Sequence, residues 1–562
     1  MSILLSPQRC LRVDAKPAAL LVVLLLDVLA AILVAQQIVA FRDHPFDTDE
    51  AFHANGGLSL ALDLRAGDWR TFVVDSYRQS AYPPGFSWMQ APVFLVLGAS
   101  PLAARMCSLA SLLAAAVILY AIGLELDETF GWLAGLVAAA LTLTSQMILT
   151  YAAMAMLEIP GLLVSLAALW AYLRASKKTT TQRLICASFL MALTVLVKYP
   201  YGMVVVPTIL MMEAPAAFPV RHKHLARRWL WLFGPLALIM IAWFAKPYKV
   251  AAFLEYATSQ PQQVALLSVE NWVYYPRSLA LHFAPSPIFA LLMLAGILWA
   301  MPRWRDKRLR LFLIYLLIGM LLMTIKLQKH PRFIATIAPA AHVLTGALLA
   351  WLATRWREGG LRAPGARLVT VIVLTACVVS SVPVLVERFS AFPALMQVHY
   401  QTDPRALDLA AWIAAQVPPG QRFFLVNPWD QFSAPAMEWY LATHNERTSR
   451  FDDVFVPSVF LKPFEMENVT ELHSAIRASG AQYVVALEGG PEGTQVWSDY
   501  AQAMGQALIP VAQREFAIEQ WQRSIVQWIK RSLLTQDELE RVKASGRYTM
   551  HIQATVYRVT EP

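Results

Sequence analysis

Long apolar runs joined by short polar connections fill the first two-thirds of the chain. The first spans 18 to about 41, and others follow at about 101–124, 131–149, 159–173, 184–197, 202–212, 229–245, 287–301, 311–325, 333–356 and 368–386. Most approach the length a helix needs to cross a bilayer, so the pattern predicts about eleven transmembrane helices, with 202–212 the shortest. Two further stretches sit between the first and second runs. Leu58–Arg65 predicts a short helix along the interface, and Ser80–Gly98, aromatic and proline-rich, predicts an interfacial or half-inserted helix. Past Glu387 the pattern changes. An amphipathic helix is expected at Ala406–Gln416 and a buried strand at Gln421–Asn427. A second helix is expected at Leu472–Ser479 and a second strand at Tyr483–Leu487, after the Gly480 stop.

The expected architecture is therefore an α-helical polytopic membrane protein with a C-terminal α/β soluble domain. Residues 1–390 form the transmembrane module, with a first outer loop at 42–100, and 391–562 form the soluble domain. Composition agrees: 57% of residues are hydrophobic and 15% charged, and mean hydropathy is +0.47, values foreign to most soluble chains. Asp27, inside the first run, is costly in lipid and should face the protein interior.

A formal charge of +9 would suit a nucleic-acid binder, but the basic residues have another place. They concentrate in the connections 174–183, 221–228, 303–310 and 355–367, after Arg9, Arg12 and Lys16 at the N-terminus. This is the positive-inside pattern, with the N-terminus cytoplasmic and the C-terminal domain outside, in a cell membrane. It argues against a nucleic-acid partner and makes the bilayer the first partner. The first run is longer than a signal-peptide core and lacks a clear cleavage site, so it reads as an uncleaved helix. The four cysteines, Cys10, Cys107, Cys186 and Cys377, show no disulfide or metal spacing.

On this topology four polar groups reach the outer face. Asp47, Asp49, Glu50 and His53 lie in Phe46–Gly57 (FDTDEAFHANGG). Glu158 opens a span. Lys198 and Tyr199 belong to a KYPY connection, and Lys329, His330 and Arg332 belong to KLQKHPRF. Each has a structural alternative. Glu158 suits a helix N-terminus, Lys198 and Arg332 could snorkel beside aromatic neighbours, and His53 could be a packed polar residue. Basic anchors on the outer side nevertheless run against the positive-inside bias. A carboxylate can take a proton from an acceptor hydroxyl, and cations can hold a phosphate that leaves with negative charge. Acids beside cations at a membrane surface thus suit sugar transfer from a lipid-linked phosphate donor.

In these motifs the chain resembles the GT-C glycosyltransferases, specifically the branch of protein O-mannosyltransferases and lipid A aminoarabinose transferases. The resemblance runs through Asp49-Glu50, Tyr82-Pro83-Pro84, Ala104-Arg105-Met106, Glu158 and Lys329-His330-Pro331-Arg332-Phe333, and covers about residues 18–390. It implies a polyprenyl- or dolichyl-phosphate sugar donor, a protein, lipid or glycan acceptor, and inversion at the anomeric carbon. Asp49 would activate the acceptor, with Glu50 beside it, Asp47 an additional candidate base and Glu158 the second acidic position. Lys198, Lys329, His330 and Arg332 would hold the donor phosphate, and His53, Tyr82, Arg105 and Tyr199 would line the substrate pocket. No ligand spacing demands a metal, although carboxylates near a phosphate leave room for a divalent cation. The rival readings are a transporter or flippase of a lipid-linked sugar, for which no internal repeat is visible, and a non-catalytic GT-C relative.

Overall fold

The computed structural model describes residues 15–79, 82–217, 223–258, 264–326, 328–357, 364–400, 403–418, 421–426, 432–444, 469–489, 495–521, 541, 544 and 546–560. Arg9, Cys10, Arg12 and parts of the basic connections 221–228 and 355–367 lie outside them. The helical part comprises α1 (Ala15–Ala40), α2 (Thr48–Arg65), α3 (Trp69–Arg78), α4 (Gly85–Leu97), α5 (Pro101–Leu126), α6 (Gly131–Leu143), α7 (Gln146–Ala152), α8 (Glu158–Lys177) and α9 (Thr181–Val197). It continues through α10 (Tyr199–Ala217), α11 (Lys223–Trp243), α12 (Pro247–Thr258), α13 (Val269–Ser278), α14 (Pro287–Ala300), α15 (Lys307–Ile325), α16 (Ala338–Arg357) and α17 (Pro364–His399).

The expected apolar runs fall largely on helix, although in the run 333–356 the α-helix begins only at Ala338. Among the described residues, α1, α5, α8 and α15 are each long and apolar enough to cross a membrane, and the α6–α7 pair adds a fifth if taken as one span. That pair corrects the expectation of one continuous helix at 131–149, because it bends by 68°. The hydroxyls of Thr142 and Thr144 donate to the carbonyls of Ala138 and Ala140, both at 2.8 Å. Such back-bonding loosens the helical ladder and bends it. Helices α5 and α6 cross closely because a Cβ on Gly123 would stand 2.1 Å from Gly135 N. Asp27 is buried at 6% exposure, facing the protein as expected.

The acidic stretch is also helical rather than a loop. Asp47 caps α2, accepting from Glu50 N at 2.9 Å, and Asp49 and Glu50 occupy the first turn, where the helix dipole favours acids. The interfacial helix expected from Leu58 is the second half of the same element.

The C-terminal region comprises α18 (Ala406–Gln416), β1 (Phe423–Val426), α19 (Ala434–His444), α20 (Val469–Ser479), β2 (Tyr483–Glu488), α21 (Gln495–Met504), β3 (Leu508–Trp521) and β4 (Arg547–Val559). Its sheet has the order β1-β2-β4-β3, with β1 and β2 parallel and the other pairs antiparallel. Alternation along β1 sends Phe423 and Leu425 towards α18 and Phe424 and Val426 towards α20 and α21, so both faces are covered. Helix α19 reaches back to α2. Asn55 Nδ2 donates to Pro435 O at 2.9 Å and to Glu438 Oε2 at 3.1 Å, and the Trp439 ring packs on Phe46 and Phe94.

Candidate active site

Successive residues of a helix point about 100° apart, so Asp49 and Glu50 cannot face the same place. Glu50 turns inward and is 1% exposed. It takes a bidentate pair of hydrogen bonds from Arg105, Nε at 3.0 Å and Nη2 at 2.9 Å, and a third from Ala155 N at 2.8 Å. Arg105 also donates to Phe41 O at 3.0 Å and lies 4.2 Å from the Tyr400 ring centroid. The Tyr400 hydroxyl donates to Ala153 O. This knot ties the ends of α1 and α17, the start of α2, helix α5 and the segment before α8. Glu50 and Arg105 are thus paired with each other and tie these elements together, away from the face that Asp49 occupies. Asp47, as the cap of α2, is likewise occupied with the backbone of its own helix.

One turn apart on α2, Asp49 and His53 share a face, and that face meets cations. Arg332 Nη1 and Nη2 each lie 3.3 Å from Asp49 Oδ2. The same guanidinium places Nε 3.8 Å from Glu158 Oε1, and Lys198 Nζ lies 3.4 Å from that oxygen. Glu158 is the first residue of α8, where a carboxylate suits the helix dipole. Lys198 is brought to it by close packing: a Cβ on Gly161, one turn into α8, would sit 2.0 Å from the Tyr201 ring. The Lys198 ammonium also lies 5.8 Å from the Tyr82 ring centroid, and that ring meets His53 edge-on at 4.7 Å.

The KLQKHPRF connection divides its labour differently from the expectation. Lys329 is 2% exposed and donates to the carbonyls of Met323, Thr324 and Lys326 at 3.0, 2.6 and 2.6 Å. It closes the C-terminus of α15. His330 Nδ1 accepts from Arg332 N at 3.1 Å, capping the 3-10 turn Pro331–Ile334 that presents Arg332. Lys326, three residues earlier, is placed differently. Its ammonium sits 3.7 Å from the Phe333 ring centroid, and burial, reinforced by Lys198 and Arg332, pushes it down to about 7. Two lysines three residues apart carried no signal of which one turned inward. Tyr199 is a further correction: it points away, its hydroxyl accepting from Trp243 Nε1 at 3.2 Å within an aromatic cluster.

Charge balance sets the protonation states. Burial works to raise the Asp49 carboxyl, yet Arg332, His53 and Lys198 outweigh it and hold it below the usual carboxylate range. Burial drives His53 down to about 4 despite Asp49, so its imidazole is neutral at neutral pH. Arg332 is held well above its ordinary value, burial being overcome by Tyr151, Glu158 and Asp49. Two carboxylates thus face Arg332, Lys198 and the marginal cation Lys326. Among the described residues Arg332 Nε and Glu158 Oε2 are buried and make no hydrogen bond, leaving a donor and an acceptor side by side. No three His, Cys, Asp or Glu side chains gather as a metal site among the described residues.

Comparison with known proteins finds one family match and several similar folds. Residues 81–245 match the family described as dolichyl-phosphate-mannose-protein mannosyltransferase, a span holding Tyr82, Arg105, Glu158 and Lys198. ArnT from Cupriavidus metallidurans bound to undecaprenyl phosphate superposes with a TM-score of 0.55 at 16% identity, over 87% of this chain and 96% of that one. The archaeal oligosaccharyltransferase AglB from Archaeoglobus fulgidus, in complex with an inhibitory peptide and a dolichol-phosphate, superposes with a TM-score of 0.50 at 14% identity, over 83% and 69%. No protein of curated function matches the chain by sequence. The family match covers residues 81–245, and the likeness to the two solved structures is one of fold.

Proposed function

We propose that the protein transfers a sugar from a polyprenyl-phosphate donor to a hydroxyl of a protein, lipid or glycan at the outer face of a cell membrane. The observation that carries this reading is the Arg332 guanidinium, set between Asp49 and Glu158 with its Nε–H unsatisfied and Lys198 close by. Such a site offers an anion seat next to an ionised acid. The lipid phosphates held by the two structural neighbours support the donor class. Arg332, Lys198 and Lys326 would hold the donor phosphate, by direct and charge-assisted hydrogen bonds.

Asp49 would take the proton of the acceptor hydroxyl as its oxygen attacks the anomeric carbon. The bond from that carbon to the phosphate oxygen breaks, and the electron pair leaves on polyprenyl phosphate, where the cations stabilise it. Attack opposite the leaving group inverts the anomeric centre. Glu158 would orient Lys198 and Arg332 and offer Oε2 to a sugar hydroxyl. Basic inner connections support a cytoplasmic N-terminus, with the region 391–562 outside the membrane and α19 bracing α2. The donor sugar is a hexose or pentose.

The test is transfer by the purified protein from polyprenyl-phosphate sugars, with hexosyl and pentosyl donors and hydroxyl acceptors supplied in turn. Released polyprenyl phosphate should match glycosylated acceptor one for one, and Asp49→Asn should slow both by about two to four orders of magnitude. Equal transfer by wild type and Asp49→Asn would overturn the assignment of the base.

A further inference from the structure

Lys249, on α12, is fully buried, and among the described residues it has no carboxylate partner. Its ammonium donates to Gln79 O at 2.8 Å and sits 3.8 Å from the Trp243 ring centroid, 4.8 Å from that of Tyr77 and 5.5 Å from that of Tyr248. Aromatic faces offset part of the loss of water around a cation, but a buried ammonium without a counter-ion remains unfavourable. A methionine would fill the same cage without that penalty. Stability therefore does not account for a lysine here, and its bonding does point elsewhere.

Both arms of the lysine's environment lead to the candidate site. Gln79, which it holds by the carbonyl, accepts from Ser87 Oγ at 2.7 Å through its own side chain. These two contacts bracket the stretch that carries Tyr82 and Phe86, whose rings pack on His53. Ser87 and Gln79 also press on α2 at Gly56, where a Cβ would stand 2.6 and 3.1 Å from their side-chain oxygens. On the other arm, Trp243 donates to the hydroxyl of Tyr199, the residue next to Lys198. Tyr77 closes the cage by donating to the last carbonyls of α11, at Ala242 and Trp243.

We infer that Lys249 is a positioning residue for the substrate site: it fixes Gln79 and Trp243, and through them the Tyr82 face and the Lys198 arm that receive the donor. The inference rests on the donor-binding reading above. Lys249→Met keeps the bulk of the side chain and removes the charged donor. The expected result is an unchanged or raised melting temperature, faster backbone hydrogen exchange across residues 82–90, and affinity for undecaprenyl phosphate weakened by about tenfold. Exchange and affinity equal to wild type would overturn the inference. So would a lowered melting temperature with affinity unchanged, which marks a purely structural lysine. Should Lys249→Met fail to fold, Ser87→Ala cuts the same bracket at its other end and must accelerate exchange in the same peptide; unchanged exchange there also overturns it. Wild type that binds no undecaprenyl phosphate would remove the donor reading, while the exchange measurement still decides the role of Lys249.

Discussion

Arg332 meets Asp49 through a single carboxylate oxygen, with both terminal nitrogens 3.3 Å from Oδ2. On the proposed reading one guanidinium serves two partners, the acid that activates the acceptor and the phosphate of the donor. Donor phosphate drawn to Arg332 would compete with Asp49 and weaken the contact that depresses its basicity. Asp49→Asn should therefore slow turnover by about two to four orders of magnitude. Because the competing charge is gone, it should also tighten undecaprenyl phosphate binding by roughly tenfold, about 1.4 kcal/mol. Titration calorimetry on the variant checks this, and weaker binding would show that Asp49 helps to hold the lipid instead.

On the proposed reading, Lys326 should make donor binding depend on pH. Burial first, then Lys198 and Arg332, lower it to about 7, so it is charged below that pH and increasingly neutral above it. A bound phosphate favours the charged form, so binding at pH 8 should take up a proton and affinity should fall as pH rises from 7 to 9. Binding enthalpies in buffers of different ionisation heat measure the uptake. In Lys326→Met the pH slope should flatten.

The buried pair of Glu50 and Arg105 supports stability rather than chemistry. Glu50→Gln or Arg105→Met strands the other charge at 0–2% side-chain exposure, which should destabilise the protein by about 3–5 kcal/mol. Asp49→Asn, on a side chain that is 36% exposed, should leave the melting temperature nearly unchanged. Thermal unfolding of the three variants in one detergent separates the roles.

Glu438 links the C-terminal region to α2 with a pH dependence of definite sign. Burial raises its carboxyl to about 8, against a hydrogen bond from Asn55 that lowers it. Between its ordinary value and about 8 the folded state holds a proton that the unfolded state has lost, so stability falls as pH rises through that window and levels off above it. The melting temperature of Glu438→Gln relative to wild type should climb from pH 5 to pH 8 and then stay constant. A difference independent of pH would contradict this.

The helices were legible because burial in lipid demands continuous apolar runs, and most of each run from 18 to 386 became helix. The bend at Thr144 was not legible, since two threonine hydroxyls look like any others until their carbonyl partners are known. Asp49, Glu158, Lys198 and Arg332 were expected on one outer face from the charge pattern, and the structure brings the four side chains together. Neighbouring residues were harder to sort. Asp49 and Glu50 are adjacent in sequence but a helix turns them to different tasks, and Lys326 and Lys329 exchange roles on the geometry of one helix end. The long β3–β4 ladder, which pairs Leu508 with Val559, and the return of α19 to α2, which joins Asn55 to Pro435, depend on partners that periodicity does not record.

The most direct measurement is the structure of the purified protein with undecaprenyl phosphate bound. The phosphate should lie among Arg332, Lys198 and Lys326, accepting from Arg332 Nε, with Asp49 separated from the guanidinium. A phosphate seated elsewhere, with the Arg332 contact to Asp49 intact, would contradict the proposed site.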